Sequence, residues 1–258
     1  MNLEAEKNLA RHAARLVRFE GQMNCRDLGG LPTEGGGELA TGRIYRSGRL
    51  SNLSAADIEA FTALGIRQLF DFRLQFEREN YPNPDPASLN LTEHHHGYLP
   101  EGAMDMFNAI NDDSITADGI RAGMRDQYRL MAIGHPEVYT ALYRCLIADD
   151  SKPFLFHCSG GKDRTGVAAA LLQRIGGVDR ETVIADYLLT NLDVPPLGVL
   201  QGKVSDELRS VVGYAHRELI ETALDAVENE YDDYAAFVCD GIGLSEAEYQ
   251  SLVAVLRG

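Results

Sequence analysis

The feature that most constrains the fold of this chain is a short glycine loop between an apolar strand and an apolar helix. Residues 153–157, with the sequence PFLFH, form an apolar run with proline at its start, which is typical of a strand buried on both faces. The loop Ser159–Asp163 comes shortly after, and Thr165–Ile175 is apolar nearly all round and ends at Gly176 and Gly177, which predicts a buried helix. This order is typical of an α/β sheet that binds ligands at the carboxyl ends of its strands.

The residues of this loop are suited to binding an oxyanion and to nucleophilic attack on the bound group. A loop that leads into a helix N-terminus presents consecutive backbone N–H groups, and the helix dipole adds partial positive charge there. Cys158 stands at the start of the loop, where positive potential favours the nucleophilic thiolate. Arg164 has a planar guanidinium that can make two parallel hydrogen bonds to a phosphoryl group. We therefore predict that Cys158 is the nucleophile of a phosphate-binding loop. The loop residues are Ser159, Gly160, Gly161, Lys162, Asp163 and Arg164.

Two residues that border the loop have predicted supporting roles. The hydroxyl of Thr165 is expected to donate a hydrogen bond to the Cys158 sulfur and to ease its departure in a second chemical step. His157 immediately precedes Cys158, and adjacent side chains leaving a strand point to opposite faces. We therefore expect His157 to brace the loop from behind and not to form a Cys–His catalytic pair.

The spacing within the loop separates it from two other anion-binding loops. Five residues lie between Cys158 and Arg164, which suits a tetrahedral phosphate, whereas sulfur-transfer loops of the rhodanese type are usually shorter. An ATP-type P-loop is not expected, because Lys162 is followed by Asp163 and no glycine stands five residues before Gly161. The alternative without chemistry is an ordinary glycine-rich turn that contains an incidental cysteine.

Composition limits the partners and the surroundings of the chain. Its 24 Lys and Arg against 39 Asp and Glu give a formal net charge of −15, which argues against nucleic acid as a partner and disfavours anionic membrane surfaces. No apolar run approaches the roughly 18 to 20 residues that span a bilayer, so we expect a cytoplasmic protein with no transmembrane segment. The four cysteines are scattered without a CxxC pair, which indicates neither a zinc site nor a disulfide framework.

Periodicity along the rest of the chain predicts a single α/β domain over residues 1–258. Its central sheet is expected to be mostly parallel and flanked by helices, with a helical C-terminal part. Residues 98–135 are predicted to be either a lid over the site or packed core, and 102–113 show no clear pattern. The predicted elements are a helix capped by Ser54, a strand ending near Asp71, a loop at 81–86, a strand at 91–99, and helices at 116–133, 136–148, 179–191, 205–229, 231–239 and after Ser245.

Motifs spread over most of the chain resemble those of the bacterial atypical tyrosine phosphatases. They are HCSGGKDRTG at 157–166, NCRDLGG at 24–30, GRIYRSGRL at 42–50, FDFR at 70–73 and GLSEAE at 243–248. The resemblance implies a cysteine-dependent phosphatase fold and a two-step reaction without metal or cofactor, in which Cys158 forms a phosphocysteine that water hydrolyses. It also implies phosphorylated protein or phosphoinositide as substrate, because members of this family are described as accepting phosphotyrosine, often phosphoserine or phosphothreonine, and phosphoinositides.

The leaving group needs a general acid, and three aspartates are candidates. Relatives of this kind resemble a variant with the acid in the phosphate loop, which makes Asp163 the first candidate, its alternative role being to orient the neighbouring cations. Asp71 is the second, because its predicted strand ends at the site-bearing edge of the sheet, and turn capping is its alternative role. Asp105, on the candidate lid, is the third.

Further polar residues have open roles. Lys162 is either a second cation for a multiply phosphorylated or inositol-linked substrate or a plain solvated charge. Four residues of the N-terminal motifs are expected to buttress the site, to meet substrate or to form structural ion pairs: Arg26, Asp27, Arg46 and Ser47.

Cys25 and the histidine triplet at 94–96 each have a functional and a structural interpretation. Cys25 stands where the family pattern usually has an aromatic residue, and it is either a protective disulfide partner of Cys158 or a buried structural thiol. The triplet His94–His96 lies on a predicted strand, where alternation sends His95 opposite to its neighbours and leaves at most two ligands together. We therefore expect histidines that are solvated or hydrogen-bonded, and we assign no metal ligands.

The sequence as a whole predicts a cysteine-type phosphomonoesterase that acts on phosphotyrosine with broader specificity. The alternatives are a phosphoinositide phosphatase and a non-catalytic phosphate-binding module, although the presence of both Cys158 and Arg164 counts against the latter. A redox or arsenate-reducing enzyme is a further alternative, and it would need Cys25 as its resolving cysteine.

Overall fold

The structure is a computed structural model, and it describes residues 12–21, 24–112, 114–149, 152–193 and 205–258, except for the side chains of Ser88 and Asp206. As predicted, the fold is of the α/β type, with helices on both sides of a central sheet. The strands of this sheet are β1 (Arg26–Asp27), β2 (Ile44–Ser47), β3 (Gln68–Asp71), β4 (Thr92–His95) and β5 (Phe154–His157).

The strand order is β1-β2-β5-β3-β4, and the sheet is mostly parallel because only the β1–β2 pair is antiparallel. All four residues of β5 are buried, as expected of a central strand. In register, Ser47 of β2 and Asp71 of β3 both lie opposite His157 of β5. The carboxyl ends of three parallel strands therefore meet at one edge of the sheet, immediately before Cys158.

The predicted strands ending near Asp71 and at 153–157 are confirmed, and the one predicted at 91–99 is shorter, as β4. The sequence did not indicate β1 and β2. β1 has two residues, and β2 carries Arg46 and Ser47 among its four buried residues, so neither has an apolar pattern.

Helices make up most of the rest of the described chain. They are α1 (Ala55–Ala63), α2 (Gln75–Asn80), α3 (Pro86–Leu89), α4 (Ala103–Asn111), α5 (Ala117–Ile133), α6 (Pro136–Ala148), α7 (Arg164–Ile175), α8 (Arg180–Leu188), a 3-10 turn (Leu189–Asp193), α9 (Asp206–Gly213), α10 (Arg217–Glu230), α11 (Tyr234–Ala236) with a π-helical continuation (Phe237–Gly241), and α12 (Glu246–Arg257). Ser54 caps α1 and Ser245 caps α12 with Glu248 in a capping box, as predicted.

The helix predictions need correction at three places. The helix predicted at 205–229 is wrong, because α9 ends at Gly213 and α10 begins at Arg217. The side chain of Asn191 explains the break: its Nδ2 donates to the Ala215 carbonyl at 2.8 Å, and its Oδ1 accepts from the Ala215 N–H at 2.7 Å. That pairing diverts the backbone groups that a continuous helix would use.

Two helices were not predicted from the sequence. The segment 102–113, which shows no clear sequence pattern, contains α4, and α2 was not predicted either.

The segment 98–135 contains both packed and exposed residues. In α5, Ile120, Met124, Tyr128 and Met131 are buried in the main core together with α7 and α10. In α4, by contrast, Met104 is 49% exposed. The packing therefore favours core for α5. Among the described residues, no helix is both long enough and apolar enough to cross a membrane.

Candidate active site

The predicted phosphate loop lies between β5 and α7, with buried Cys158 at its start. Gly161 has φ +65°, and a Cβ atom there would lie 2.6 Å from the backbone of Ser47 and Gly48. Only glycine fits this position, because it tolerates the left-handed conformation and leaves room for the neighbouring loop after β2. Every residue of α7 except Arg174 is buried, so the helix N-terminus that follows the loop is fixed by the core.

Arg164, the first residue of α7, is held by a carboxylate from another loop. Its Nη1 and Nη2 each donate to one oxygen of Glu77, both at 2.8 Å, and Nη1 also donates to the Phe72 carbonyl at 2.9 Å and the Tyr98 carbonyl at 3.3 Å. Glu77 Oε1 further accepts from the Ser159 hydroxyl at 2.5 Å. One carboxylate therefore fixes both ends of the loop.

The electrostatics of this pair keep both groups charged. Burial alone would raise the pKa of Glu77, but Arg164 and Ser159 lower it below its ordinary value. Burial opposes the charged form of Arg164 as well, yet Glu77 raises its pKa. Within the described part of the chain, Nε of Arg164 and one hydrogen of Nη2 have no partner, so they are available to an oxyanion.

Glu77 is a residue that sequence reasoning missed. It lies on the short helix α2, and its neighbour Glu79 has the same residue type two positions later. Nothing local distinguishes the two, because the difference arises from contacts with residues more than 80 positions away.

The middle of the loop is held through the carbonyl of Gly161. Nδ2 of Asn24 donates to this oxygen at 2.9 Å, and Nη2 of Arg46 donates to it at 2.7 Å. Asn24 itself has φ 60°, a left-handed conformation that asparagine tolerates better than most residues. Both N-terminal motifs therefore reach the loop and buttress it, which is one of the roles expected of Arg46.

A buried charge cluster lies beside this contact. Asp186 of α8 is 2.8 Å from Arg15, 3.3 Å from Arg26 and 3.5 Å from Arg46. Burial alone would raise the pKa of Asp186, but the three guanidinium groups depress it strongly. Burial and the charge of Arg26 lower the pKa of Arg46 to about 9. Arg26 also donates to Asn24 Oδ1, so it supports the loop indirectly and forms a structural ion pair.

The side chains of Asp27 and Ser47 form hydrogen bonds with nearby backbone groups. The two carboxylate oxygens of Asp27 accept from the N–H groups of Gly29 at 2.8 Å and Gly42 at 2.5 Å. The hydroxyl of Ser47 donates to the carbonyl of Gly48 at 2.7 Å. Within the described chain these side-chain hydrogen bonds shape turns and do not involve residues of the phosphate loop, so a role of Asp27 and Ser47 at the site stays a prediction.

The second candidate acid, Asp71, is corrected by its surroundings. Its carboxylate has no exposed surface, and Nε and Nη2 of Arg73 donate to it at 2.7 to 3.0 Å. Burial alone would raise the pKa of Asp71, but His157 and Arg73 lower it. A carboxyl group with no exposed surface is poorly placed to deliver a proton to a leaving group. Its burial and its hydrogen bonds from Arg73 therefore favour Asp71 as a structural partner of Arg73 over a role as the acid.

His157 is buried next to Asp71 and behind the loop. Its Nδ1 is 3.1 Å from the carbonyl of Cys158, which can only accept, so Nδ1 carries the hydrogen. Nε2 lies 3.5 Å from Asp71 Oδ2. Burial lowers the pKa of His157 to about 4. This arrangement agrees with the bracing role expected of the neutral side chain.

The first candidate acid, Asp163, is the last residue of the loop, and its side chain is 41% exposed. Its Oδ1 accepts a hydrogen bond of 2.6 Å from the Tyr128 hydroxyl and lies 3.4 Å from Lys162 Nζ. The Tyr187 hydroxyl is in turn 2.6 Å from that of Tyr128. Oδ2 of Asp163 has no such contact among the described residues. The third candidate acid, Asp105, is exposed in the first turn of α4.

Lys162 differs from both alternatives considered for it. Its side chain is buried, and the ammonium donates to the carbonyls of Val212 and Tyr214 at the end of α9. It is neither a solvated charge nor a cation turned to a substrate, because the exposed carbonyls at a helix C-terminus attract it. Lys162 therefore connects the loop to the end of α9.

The hydrogen bond predicted from Thr165 to the Cys158 sulfur is not present. The hydroxyl of Thr165 is buried and has no hydrogen-bond partner among the described residues. Thr165 contributes instead to the buried first turn of α7.

Cys25 and the histidine triplet have structural contacts. Cys25 is a buried free thiol, and burial raises its pKa to about 12, which disfavours a resolving role. His94 and His96 share one face of β4 and the residue after it, as alternation predicts: His94 is 3.1 Å from Gln68 Oε1 and His96 stacks on Phe70 at 4.8 Å. No group of three acidic, histidine or cysteine side chains in the described residues is arranged to hold a metal ion.

Comparison with known proteins places these features in a family. The model of the tyrosine phosphatase family matches residues 17–258. A candidate tyrosine-protein phosphatase of Cupriavidus necator is 36% identical over 178 residues, which cover 68% of this chain and 63% of that protein. The triple specificity protein phosphatase PtpB of Mycobacterium tuberculosis is 27% identical over 275 residues, which cover 92% of this chain and 98% of that protein.

Among solved structures, a candidate phosphatase from Neisseria meningitidis is 19% identical, with a TM-score of 0.33 and coverage of 58% of this chain and 85% of that one. The family match extends over nearly the whole sequence and includes the loop, Glu77, Asn24 and Arg46. The chain therefore belongs to the tyrosine phosphatase family.

Proposed function

We propose that the protein hydrolyses phosphomonoesters, phosphotyrosine first among them, through a phosphocysteine intermediate on Cys158. The observation that carries this proposal is the Arg164–Glu77 pair. It holds the guanidinium at the end of the loop that Cys158 begins, with Nε and one Nη2 hydrogen left for a phosphoryl oxygen. A nucleophile and a fixed bidentate donor at the two ends of one loop are the parts that phosphoryl transfer to sulfur requires.

In the first step, the Cys158 thiolate attacks phosphorus, so that a sulfur–phosphorus bond forms as the bond to the leaving oxygen breaks. The loop N–H groups, the N-terminus of α7 and Arg164 stabilise the negative charge on the three non-bridging oxygens. The leaving oxygen takes a proton from a general acid and departs as the neutral alcohol or phenol.

Asp163 is the residue we assign as that acid. It is the one candidate that combines a place in the loop with a partly exposed carboxyl group. Because Tyr128 and Lys162 both occupy Oδ1, the transferable proton belongs on Oδ2, which faces none of the described polar groups. Oδ2 is therefore the oxygen that we assign to proton transfer.

In the second step, water attacks the phosphocysteine, and Asp163 accepts its proton in the reverse of its first role. The sulfur–phosphorus bond breaks, phosphate leaves, and the thiolate is restored. Positive potential from the helix N-terminus stabilises the departing thiolate.

The expected substrate range extends beyond phosphotyrosine. The printed description of the mycobacterial relative as a triple specificity phosphatase supports this breadth. Phosphoinositides are the alternative substrate class, and a phosphate-binding module without turnover is the alternative function. Both are separated from the main proposal by the following experiment.

The test is phosphate release from a phosphotyrosine peptide under reducing conditions, with EDTA and no added metal. Wild type is expected to turn over, Cys158→Ser to lose all turnover, and Cys239→Ser to behave as wild type, because Cys239 is a half-buried thiol on the π-helical stretch. Wild type without turnover would refute the phosphotyrosine assignment and favour phosphoinositides or a binding role. Full activity in Cys158→Ser would refute the cysteine mechanism.

A further inference from the structure

Arg49 and Tyr81 approach the phosphate loop from its two sides and meet each other. Arg49 follows β2, whereas Tyr81 follows β3 and α2, and β2 and β3 are the two neighbours of β5. The Arg49 guanidinium carbon lies 3.8 Å from the centre of the Tyr81 ring, a cation–π contact. The pair therefore spans the edge of the sheet at which β5 leads into the loop.

The position of Arg49 is tied directly to the loop. Its N–H donates to the carbonyl of Ser159 at 3.0 Å, so the backbone of Arg49 is in contact with the first loop residue after Cys158. The register of Ser47 opposite His157 explains this closeness, because residues that follow paired positions of neighbouring strands remain adjacent. The Arg49 side chain thus begins next to the nucleophile.

The position of Tyr81 is fixed by the same residues that organise the loop. Its N–H donates to the carbonyl of Glu77 at 3.1 Å, and its carbonyl accepts from Nη1 of Arg73 at 2.7 Å. Glu77 binds Arg164, and Arg73 is locked on buried Asp71. Tyr81 is nevertheless 42% exposed, so it presents an aromatic surface on a fixed backbone to incoming molecules.

The charge of Arg49 is not neutralised by a described neighbour. No carboxylate in the parts of the chain that the structure describes is within ion-pair distance of it, and the Tyr81 ring attracts the cation without cancelling its charge. In a chain with a net charge of −15, a cation that has no carboxylate partner among the described residues and lies beside an anion-binding loop is available to a second anionic group of the substrate.

We propose that Arg49, held by Tyr81, is a subsite for an acidic side chain that flanks the phosphotyrosine of a peptide substrate. This inference rests on the proposed function. Two observations favour a peptide over a lipid headgroup. The net charge of −15 disfavours approach to an anionic membrane, and Phe76 of α2, the helix that ends immediately before Tyr81, is 50% exposed and offers apolar surface that suits a polypeptide.

The experiment compares kcat/KM for phosphotyrosine peptides that differ only in a flanking Glu or Gln. Wild type is expected to prefer Glu by about two- to fivefold at low salt, the size of one partly exposed ion pair, and to lose the preference as salt rises. Arg49→Gln is expected to bring the ratio to about one. Arg121→Gln is the control, because Arg121 is a surface residue of α5 next to Asp118, and it is expected to keep the wild-type ratio.

The ratio within one protein is the readout, so a general loss of activity in a variant does not alter the conclusion. Wild type that hydrolyses both peptides equally at low salt would overturn the subsite and leave the proposed function intact. A Glu preference that survives in Arg49→Gln would overturn it as well, and so would an effect of Arg49→Gln confined to phosphoinositide vesicles, which would indicate a lipid subsite. Wild type without turnover on either peptide or on p-nitrophenyl phosphate would instead refute the proposed function, and the subsite with it.

Discussion

The hydroxyl of Tyr128 donates a hydrogen bond of 2.6 Å to Oδ1 of Asp163, so a residue of α5 fixes the carboxyl group at the end of the phosphate loop. Burial raises the pKa of Tyr128 well above its ordinary value, which keeps the hydroxyl protonated and able to donate. Because its single hydrogen is used for Asp163, the Tyr187 hydroxyl must donate to Tyr128. Two buried tyrosines in series therefore orient the proposed acid.

Removing this hydrogen bond is expected to impair catalysis most where the leaving group needs a proton. Tyr128→Phe should lower kcat/KM for a phosphotyrosine peptide about fivefold, the value of one hydrogen bond, and should change turnover of p-nitrophenyl phosphate far less. Tyr139→Phe is the control, because its buried hydroxyl bonds the Met131 carbonyl and not the loop. Equal losses on both substrates would contradict an orienting role for Tyr128.

The two aspartates considered as acids are expected to behave differently. Asp163→Asn should lower kcat for phosphotyrosine by about 10²-fold and remove the alkaline limb of the pH–rate profile. Asp71→Asn should keep that limb while lowering the free energy of unfolding, because it leaves Arg73 buried beside a neutral amide. The pH–rate profiles of both variants decide this, and an alkaline limb that persists in Asp163→Asn would exclude it as the acid.

The sequence identifies the part of the site that is contiguous. Cys158, the glycines and Arg164 are recognisable because a strand, a loop and a helix N-terminus dictate their geometry within ten residues. Lys162 lies in the same segment, yet neither of its predicted roles matches its observed contact. Its partner is the carbonyl of Val212, and no local pattern reveals where a helix 50 residues away will end.

Residues that act on the loop from a distance carry weaker signals. Glu77 and Tyr128 sit on helices where no local pattern marks them, and only the folded chain brings them to Arg164 and Asp163. Asn24 and Arg46 belong to motifs that the family resemblance singled out, but their common target, the Gly161 carbonyl, is visible only in three dimensions.

The free energy of unfolding is expected to depend on pH through protonation of the His157 side chain. Burial lowers its pKa from 6.5 to about 4, so the unfolded chain binds a proton at this side chain more readily than the folded chain does. The corresponding stabilisation is present above pH 6.5 and is lost as the pH falls toward 4. Urea unfolding at stepped pH should show this decline in wild type, with a shallower slope in His157→Gln.

In His157→Gln, the dependence of the free energy of unfolding on pH should be reduced and not abolished, because burial also lowers the pKa of His94 and His96. His216→Gln is the control, since the ring of His216 is near the surface and hydrogen-bonds the Ser210 carbonyl. Identical slopes in wild type and His157→Gln would show that His157 is not the group that titrates.

The charge cluster around Asp186 should be among the most sensitive positions for folding. Asp186→Asn removes the common partner of Arg15, Arg26 and Arg46, which are all buried, so we expect a loss of roughly 3 to 5 kcal/mol in the free energy of unfolding. Asp225→Asn removes an exposed partner of Arg180 and should cost less than about 1 kcal/mol. Chemical denaturation of both variants measures the difference, and similar losses would contradict a special role for the cluster.

Glu77 should matter for anion binding more than its place on a short surface helix implies. In Glu77→Gln, Arg164 and Ser159 lose the carboxylate that holds both ends of the loop, and the guanidinium is free to shift away from the phosphoryl position. We expect kcat/KM to fall by about 10- to 100-fold and competitive inhibition by inorganic phosphate to weaken in parallel, because both depend on the same donors. Glu79→Gln is the matched control on α2, since Glu79 accepts only from the exposed Gln75 amide. Phosphate inhibition that is unchanged in Glu77→Gln, in a variant that remains folded by circular dichroism, would show that Arg164 keeps its position without this carboxylate.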